Sequence, residues 1–303
     1  MRAAWAAGVT RPRFMIRHLS ALLFASALFV SACGARGQGA GPKGNQFDLV
    51  KNGRHVKVWY HCPAGLSADA PIVIVMHGVG RDADRYLSEW VPLADANHFL
   101  VVAPEFSQTE FPGEDGYIYG NTVDLAGNPL PREQWSFSFI EPVFDAIRAR
   151  TGNRSSTYRI YGHSAGAQFV QRFLYFVPAA RVSRAVCANA GWYMLPDLAA
   201  AFPYGLRGTP VTEADLGKAF GRPLLVLLGT ADTDPKAKEL RKTPEAEAQG
   251  PDRLARGQYF FNQARRAAEL TGTPFRWSLA FAPGIAHSDA GVAPYAIQWL
   301  LQN

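Results

Sequence analysis

The segment Tyr158-Arg159-Ile160-Tyr161-Gly162-His163-Ser164-Ala165-Gly166 narrows the choice of fold more than any other part of this chain. A short run of β-favouring residues leads into G-x-S-x-G, and Ala167 to Leu174 then carries apolar residues at helical spacing. Strand, sharp turn and helix is the context in which such a serine stands exposed as a nucleophile. Side chains two residues to either side of a serine on so tight a turn would crowd it, which accounts for Gly162 and Gly166. Amides that open a helix lack intrahelical acceptors and are free to meet a developing oxyanion. Ser164 is therefore the candidate nucleophile, and the amide of Ala165 a candidate oxyanion donor.

The rest of the chain supplies the setting. Asn52-Gly53 between Phe47–Val50 and His55–His61 predicts a tight hairpin. Pro71–Met76, Phe99–Pro104, Arg184–Ala188, Pro223–Gly229 and Phe275–Phe281 read as further strands. Helical patterns cover Asp82–Ala96, shortened or kinked by Pro92, then Glu141–Thr151, Arg253–Thr271 and Ala290–Leu301. Continuous apolar strands alternating with helices predict an α/β fold, a parallel sheet with helices on both faces, as one domain. Glu105–Arg132 is too long for an ordinary loop, and Phe111, Tyr117 and Tyr119 predict a packed lid or rim. Leu195–Gly221 reads as irregular.

A serine nucleophile needs a base, and the base an orienting acid, gathered past the carboxyl ends of the strands. Of seven histidines, His287 alone follows the last strand and precedes the last helix, so it is the candidate base. Asp232 and Asp234 both lie in the turn after Gly229; Asp232 is nearer the strand end, whereas Asp234 before Pro235 fits a turn residue. The amide of Val79, after the tight-turning Gly78, is the second oxyanion candidate, and His77 is assigned to loop packing. Trp135, Phe137, Trp192, Tyr193, Phe202 and Tyr204 are candidates for an apolar or aromatic acyl pocket, with Trp192 and Tyr193 best placed after a strand end.

His77-Gly78, Gly162-His163-Ser164-Ala165-Gly166, Gly229-Thr230-Ala231-Asp232 and His287, in this order, resemble the α/β-hydrolase superfamily over about Pro71 to Leu301. Within it the motifs are similar to secreted bacterial esterases of the polyhydroxybutyrate-depolymerase-like and feruloyl-esterase-like kind. The resemblance implies an eight-stranded, mostly parallel sheet and ester hydrolysis through an acyl-enzyme, with neither metal nor cofactor. The substrate expected is a small or oligomeric ester; no linker or substrate-binding module follows the domain, which weighs against a polymer. A peptidase or thioesterase on the same fold, or a non-enzymatic binding lipoprotein, are the alternatives.

The formal charge of +6 on 303 residues would suggest an anionic partner, but Arg2, Arg11, Arg13 and Arg17 in the first 32 residues carry four of those charges. The remainder has no basic block, which excludes a nucleic-acid-binding class. Basic residues before the apolar run Leu19–Val30 form a targeting signal, and Met15 offers a more compact start to it. Val30-Ser31-Ala32-Cys33 resembles a lipobox, giving a lipoprotein signal peptide over 1–32, lipid attachment at Cys33, a Gly-rich tether over 33–45 and the hydrolase domain over 46–303. The protein is expected to be exported and held at a membrane by its lipid, facing the periplasm or cell exterior. Cys62 and Cys187, in strand-like stretches, are expected to be buried free thiols.

Overall fold

Asn52 and Gly53 both adopt positive φ, 51° and 73°, the geometry of a two-residue hairpin turn. They join β1 (Asn45–Lys51) to β2 (Arg54–His61) in the computed structural model of the chain, which describes residues 45–124 and 126–302. The leader, Cys33 and the tether up to residue 44 lie outside the described residues; β1 begins at Asn45, one residue inside the expected end of the tether.

The apolar runs become β3 (Ile72–Met76), β4 (Leu100–Glu105), β5 (Tyr158–His163), β6 (Val182–Ala188), β7 (Leu224–Gly229) and β8 (Trp277–Ala282). All eight strands form one sheet in the order β1-β2-β4-β3-β5-β6-β7-β8, antiparallel at β1/β2 and β2/β4 and parallel elsewhere. The period of two in a strand sends alternate residues to two cores. Ile72, Ile74 and Met76 face one, and Val73 and Val75 the other.

The helices are α1 (Ala83–Asn97), α2 (Gly113–Gly116), α3 (Ile140–Thr151), α4 (Ala165–Phe176), α5 (Glu213–Phe220), α6 (Pro244–Glu247), α7 (Arg253–Leu270) and α8 (Asp289–Leu300). Tyr86, Leu87 and Trp90 of α1 and Val292, Ala296 and Leu300 of α8 cover the Val73 face. The opposite face is covered by α3, α4, α5 and α7. This is the α/β-hydrolase arrangement, with each parallel strand delivering its carboxyl end to the same rim.

Three local expectations change. Pro92 does not shorten α1, which runs on to Asn97, because Pro92 and Ser88, whose carbonyl loses its N–H partner, both face water. The stretch read as irregular contains α5, opened by a capping box in which Thr212 Oγ1 accepts from the Asp215 amide at 3.2 Å and Asp215 Oδ2 from the Thr212 amide at 3.1 Å. Cys187 is the buried free thiol expected, whereas Cys62 is half-buried and disulfide-bonded rather than free. The Glu105–Arg132 segment is packed, with Phe106, Phe111 and Tyr117 fully buried and their rings 4.9–5.5 Å apart in the two contacts Phe106 makes to the others.

Candidate active site

Ser164 takes φ 57° and ψ −117° between β5 and α4, a backbone state that costs a non-glycine residue on the order of 1–3 kcal/mol. It is held there by its amide, which donates to the Ala188 carbonyl at 3.0 Å, and by its carbonyl, which accepts from the Gln168 amide at 3.2 Å. The turn closes so tightly that a β-carbon on Gly162 would stand 2.1 Å from the Gly166 carbonyl oxygen. One on Gly166 would stand 2.1 Å from that of Met76. Both glycines are thus required by close backbone approach rather than by their own φ.

His287, in the loop from β8 to α8, brings Nε2 to 3.0 Å from Ser164 Oγ and Nδ1 to 2.7 Å from Asp232 Oδ2. The Asp232 turn after β7 is laced to that loop. Thr230 donates its amide to the Ala282 carbonyl at 3.0 Å, Ala231 its amide to that of Ile285 at 2.9 Å, and the Gly284 amide donates to Thr230 Oγ1 at 2.8 Å. Asn189 joins a third strand end to the same lacing. Its side chain accepts from the Gly229 amide at 2.8 Å and donates to the Ala286 carbonyl at 3.3 Å. Asp232 is buried, and its second oxygen accepts from the equally buried Arg253 Nη1 at 3.4 Å. Asp234 is exposed and caps its own turn, accepting from the Lys236 amide at 2.8 Å.

Around this core burial disfavours the charged forms of three groups, His77, His163 and Asp289. His77 Nε2 accepts from the Phe106 amide at 3.0 Å, so the proton sits on Nδ1 and is donated to the Gly78 carbonyl at 3.0 Å. Burial pushes His77 down to about 4. The ring thereby ties the β3 turn to the end of β4, the packing role expected of it. His163 lies with its ring 4.6 Å from that of His287; burial holds it well below the ordinary histidine range, and Nδ1 is hydrogen-bonded to Tyr86 Oη at 3.1 Å. Asp289, at the start of α8, accepts from Tyr161 Oη at 2.6 Å and Trp90 Nε1 at 3.3 Å, and burial raises its carboxyl well above the carboxylate range. These contacts pin α8, and with it the His287 loop, to β5 and α1.

A cavity of about 210 Å³ opens on one side of Ser164, lined by Val79, Ala165, Gln168, Trp192, Lys238 and Arg241 among others. A second, of about 330 Å³, opens on the other side against His163, His287 and Glu89. Val79 borders both, in a turn where the Arg81 amide donates to the Gly78 carbonyl at 3.2 Å. Ala165 opens α4, where its amide has no intrahelical acceptor.

Trp192 lines this cavity, whereas Tyr193 does not. It turns into the core and stacks on Phe260 at 4.4 Å, while its amide is tied to Gln249 at 2.9 Å. Trp135 and Phe137 are also core, against Phe176. Gln168, Lys238, Arg241, Asn189, Arg253 and Asp289 were not singled out from the sequence. Only Gln168, one turn after Ser164 on the same helix, carried a signal that spacing alone could have raised.

No protein-family model matches the chain. The chain is similar to poly(aspartic acid) hydrolase-1 from Sphingomonas sp. KT-1, with 46% identity and a TM-score of 0.84, covering 87% of this chain and 100% of that one. It is also similar to LpqC, a poly(3-hydroxybutyrate) depolymerase from Bordetella parapertussis, with 35% identity, a TM-score of 0.79 and coverage of 84% and 88%. Poly(3-hydroxyalkanoate) depolymerase C of Paucimonas lemoignei is 24% identical over 176 residues; the match takes in 55% of this chain and only 40% of that longer protein. The fold, the elbow serine and relatives of this identity and coverage together show that the chain belongs to the α/β-hydrolase superfamily, as a serine carboxylic-ester hydrolase resembling the polyhydroxybutyrate depolymerases.

Proposed function

We propose that the chain hydrolyses esters through an acyl-enzyme on Ser164. His287 Nε2 takes the Ser164 proton as Oγ attacks the carbonyl carbon, and Asp232 keeps the remaining proton on Nδ1 and stabilises the imidazolium. The amides of Val79 and Ala165 receive the oxyanion; one such donor is worth on the order of 10²–10³ in turnover. His287 then protonates the leaving alcohol, and water, deprotonated by the same nitrogen, releases the acid. The observation that carries this reading is the continuous chain of contacts from Asp232 Oδ2 to Nδ1 at 2.7 Å and from Nε2 to Ser164 Oγ at 3.0 Å.

A purely apolar or aromatic acyl group fits the cavity poorly, since Glu114, Gln168, Lys238 and Arg241 share its wall with Trp192. A second reading, amide hydrolysis, is favoured by the 46% identical relative, whose name specifies an amide-linked polymer. A panel of p-nitrophenyl esters against aminoacyl p-nitroanilides separates the two. The esters are expected to exceed the anilides at least a hundredfold in kcat/KM, with a burst of nitrophenol equal to the enzyme present. The opposite ranking would establish a peptidase or amidase.

We also propose lipid attachment at Cys33, which lies outside the described residues. Among the described residues no helix is long and apolar enough to cross a membrane, so anchoring in this reading depends on the acyl chains. Labelled palmitate is expected to enter the wild type and to be absent from Cys33→Ser; equal labelling of the two would refute the anchor.

A further inference from the structure

The helix that begins at the nucleophile carries buried polar side chains that the proposed reaction does not use, Gln168 and Arg172 among them. Ser164, Gln168 and Arg172 follow at intervals of one turn, so they share a face of α4. Gln168 is 6% exposed and lines the cavity, and its Oε1 has no hydrogen-bond partner. Its Nε2 lies beside Gly191, 3.5 Å from where a β-carbon on that residue would stand.

Arg172 is fully buried. It donates Nη1 to the Gln168 carbonyl at 3.0 Å, while Nε and Nη2 have no acceptor. Among the described residues no carboxylate lies within ion-pair distance of it. Burial lowers its guanidinium to about 10, which leaves it charged at neutral pH. Such a charge costs several kcal/mol unless something compensates it. Part of the compensation is visible: the guanidinium lies 4.4 Å from the centre of the Trp192 ring and 5.4 Å from that of Tyr119.

Trp192 also meets the Arg241 guanidinium, 4.9 Å from its ring centre. Arg241 is already engaged with Glu114, Tyr204 Oη and Tyr119 Oη. In the cavity wall the carboxylates of Glu114 and Glu239 are matched by Lys238 and Arg241, and Arg172 behind Trp192 is the surplus positive charge.

The geometry points to a carboxylate subsite in the Gln168-lined cavity beside Ser164: the substrate's acyl unit lies there and bears its own carboxylate, bound by Gln168 Nε2 and Lys238 and supplying the counter-charge that Arg172 lacks. The substrate class is therefore the half-esters of dicarboxylic acids and polymers of such units. This inference rests on the ester-hydrolase reading and adds to it which acyl groups are taken. A hydrogen bond to a charged group is worth enough to give roughly a 10–100-fold preference over a neutral isostere.

The test compares monoethyl succinate with ethyl 4-methylpentanoate, in which two methyl groups replace the carboxylate oxygens, by pH-stat titration of the full chain. Wild type is expected to favour the half-ester 10–100-fold in kcat/KM, mainly through KM, and to lose part of that preference as salt is raised. Arg172→Met, which fills the space without charge, should bring the ratio of the two substrates to within about threefold of unity without lowering Tm, because removing an uncompensated buried charge is neutral or stabilising. Lys238→Gln, at an exposed side chain, should cut the ratio severalfold and keeps the test open if Arg172→Met does not fold. Equal hydrolysis of both esters by wild type, or an Arg172→Met variant that keeps the full ratio, overturns the subsite and leaves the hydrolase reading standing. Hydrolysis of neither ester overturns both.

Discussion

Ser164→Ala is expected to lose on the order of 10⁶ in turnover, the scale seen when the nucleophile of a serine triad is removed. The side chain makes one hydrogen bond within the site, to His287 Nε2 at 3.0 Å. The unusual φ of 57° is imposed by the surroundings: the Ser164 amide and carbonyl stay bonded to Ala188 and Gln168, and Gly162 and Gly166 keep their close approach. Alanine meets the same backbone cost as serine there, so Tm should stay within about 2 °C of wild type. A fluorophosphonate probe labels wild type once and the variant not at all. Because the cavity is intact, ester substrates should still bind the variant with dissociation constants near the wild-type KM. More than a few per cent of residual turnover, or undiminished labelling, would assign the nucleophile elsewhere.

The parts of this molecule that sequence makes legible are those set by a local period or by position along the chain. The strands β3 and β7 are continuous apolar runs because both of their faces are covered, and Gly162 and Gly166 announce the turn because nothing larger fits. His287 could be named because the order of elements places it after β8 and before α8, and Asp232 because it lies nearer the end of β7 than Asp234. What stayed hidden depends on side-chain direction in irregular backbone. Trp192 and Tyr193 follow the same strand end, yet one faces the cavity and the other packs on Phe260. No periodicity applies there, because the backbone after β6 is neither strand nor helix.

Contacts that bridge distant segments were hidden for a different reason. Arg241 meets Glu114 across 127 positions, and Asn189 reaches Ala286 across 97. Neither residue type is unusual in a loop, so only the folded chain reveals the pairing. α5 is the opposite case, since Thr212 and Asp215 stand at capping-box spacing in the sequence itself. Arg172 also carried a local signal, as the one charged residue of α4. Its meaning required knowing that no carboxylate comes to meet it.

Asp232→Asn is expected to lose roughly 10⁴ in turnover, and the arrangement about Asp232 says why. In wild type the two carboxylate oxygens serve two donors, His287 Nδ1 at 2.7 Å and Arg253 Nη1 at 3.4 Å. Asparagine has one oxygen for both. Arg253 is buried and can only donate, so the amide oxygen turns toward it, and the NH₂ group faces His287. Nδ1 must then accept, the ring proton moves to Nε2, and Nε2 can no longer take the proton of Ser164. Removing the Arg253 demand should relax this choice. In Asp232→Asn with Arg253→Met the oxygen is free to face Nδ1–H, and at least tenfold of the lost turnover should return, although the charge that stabilised the imidazolium stays absent. Asp232→Asn alone also strips Arg253 of its counter-ion and will lower Tm, so rates are compared per site titrated by the probe. Asp234→Asn keeps an oxygen for the Lys236 amide and should cost less than about tenfold. No recovery in the double variant would mean that lost charge, not the wrong tautomer, causes the defect. A larger loss at Asp234 than at Asp232, with both variants folded, would move the acid to Asp234.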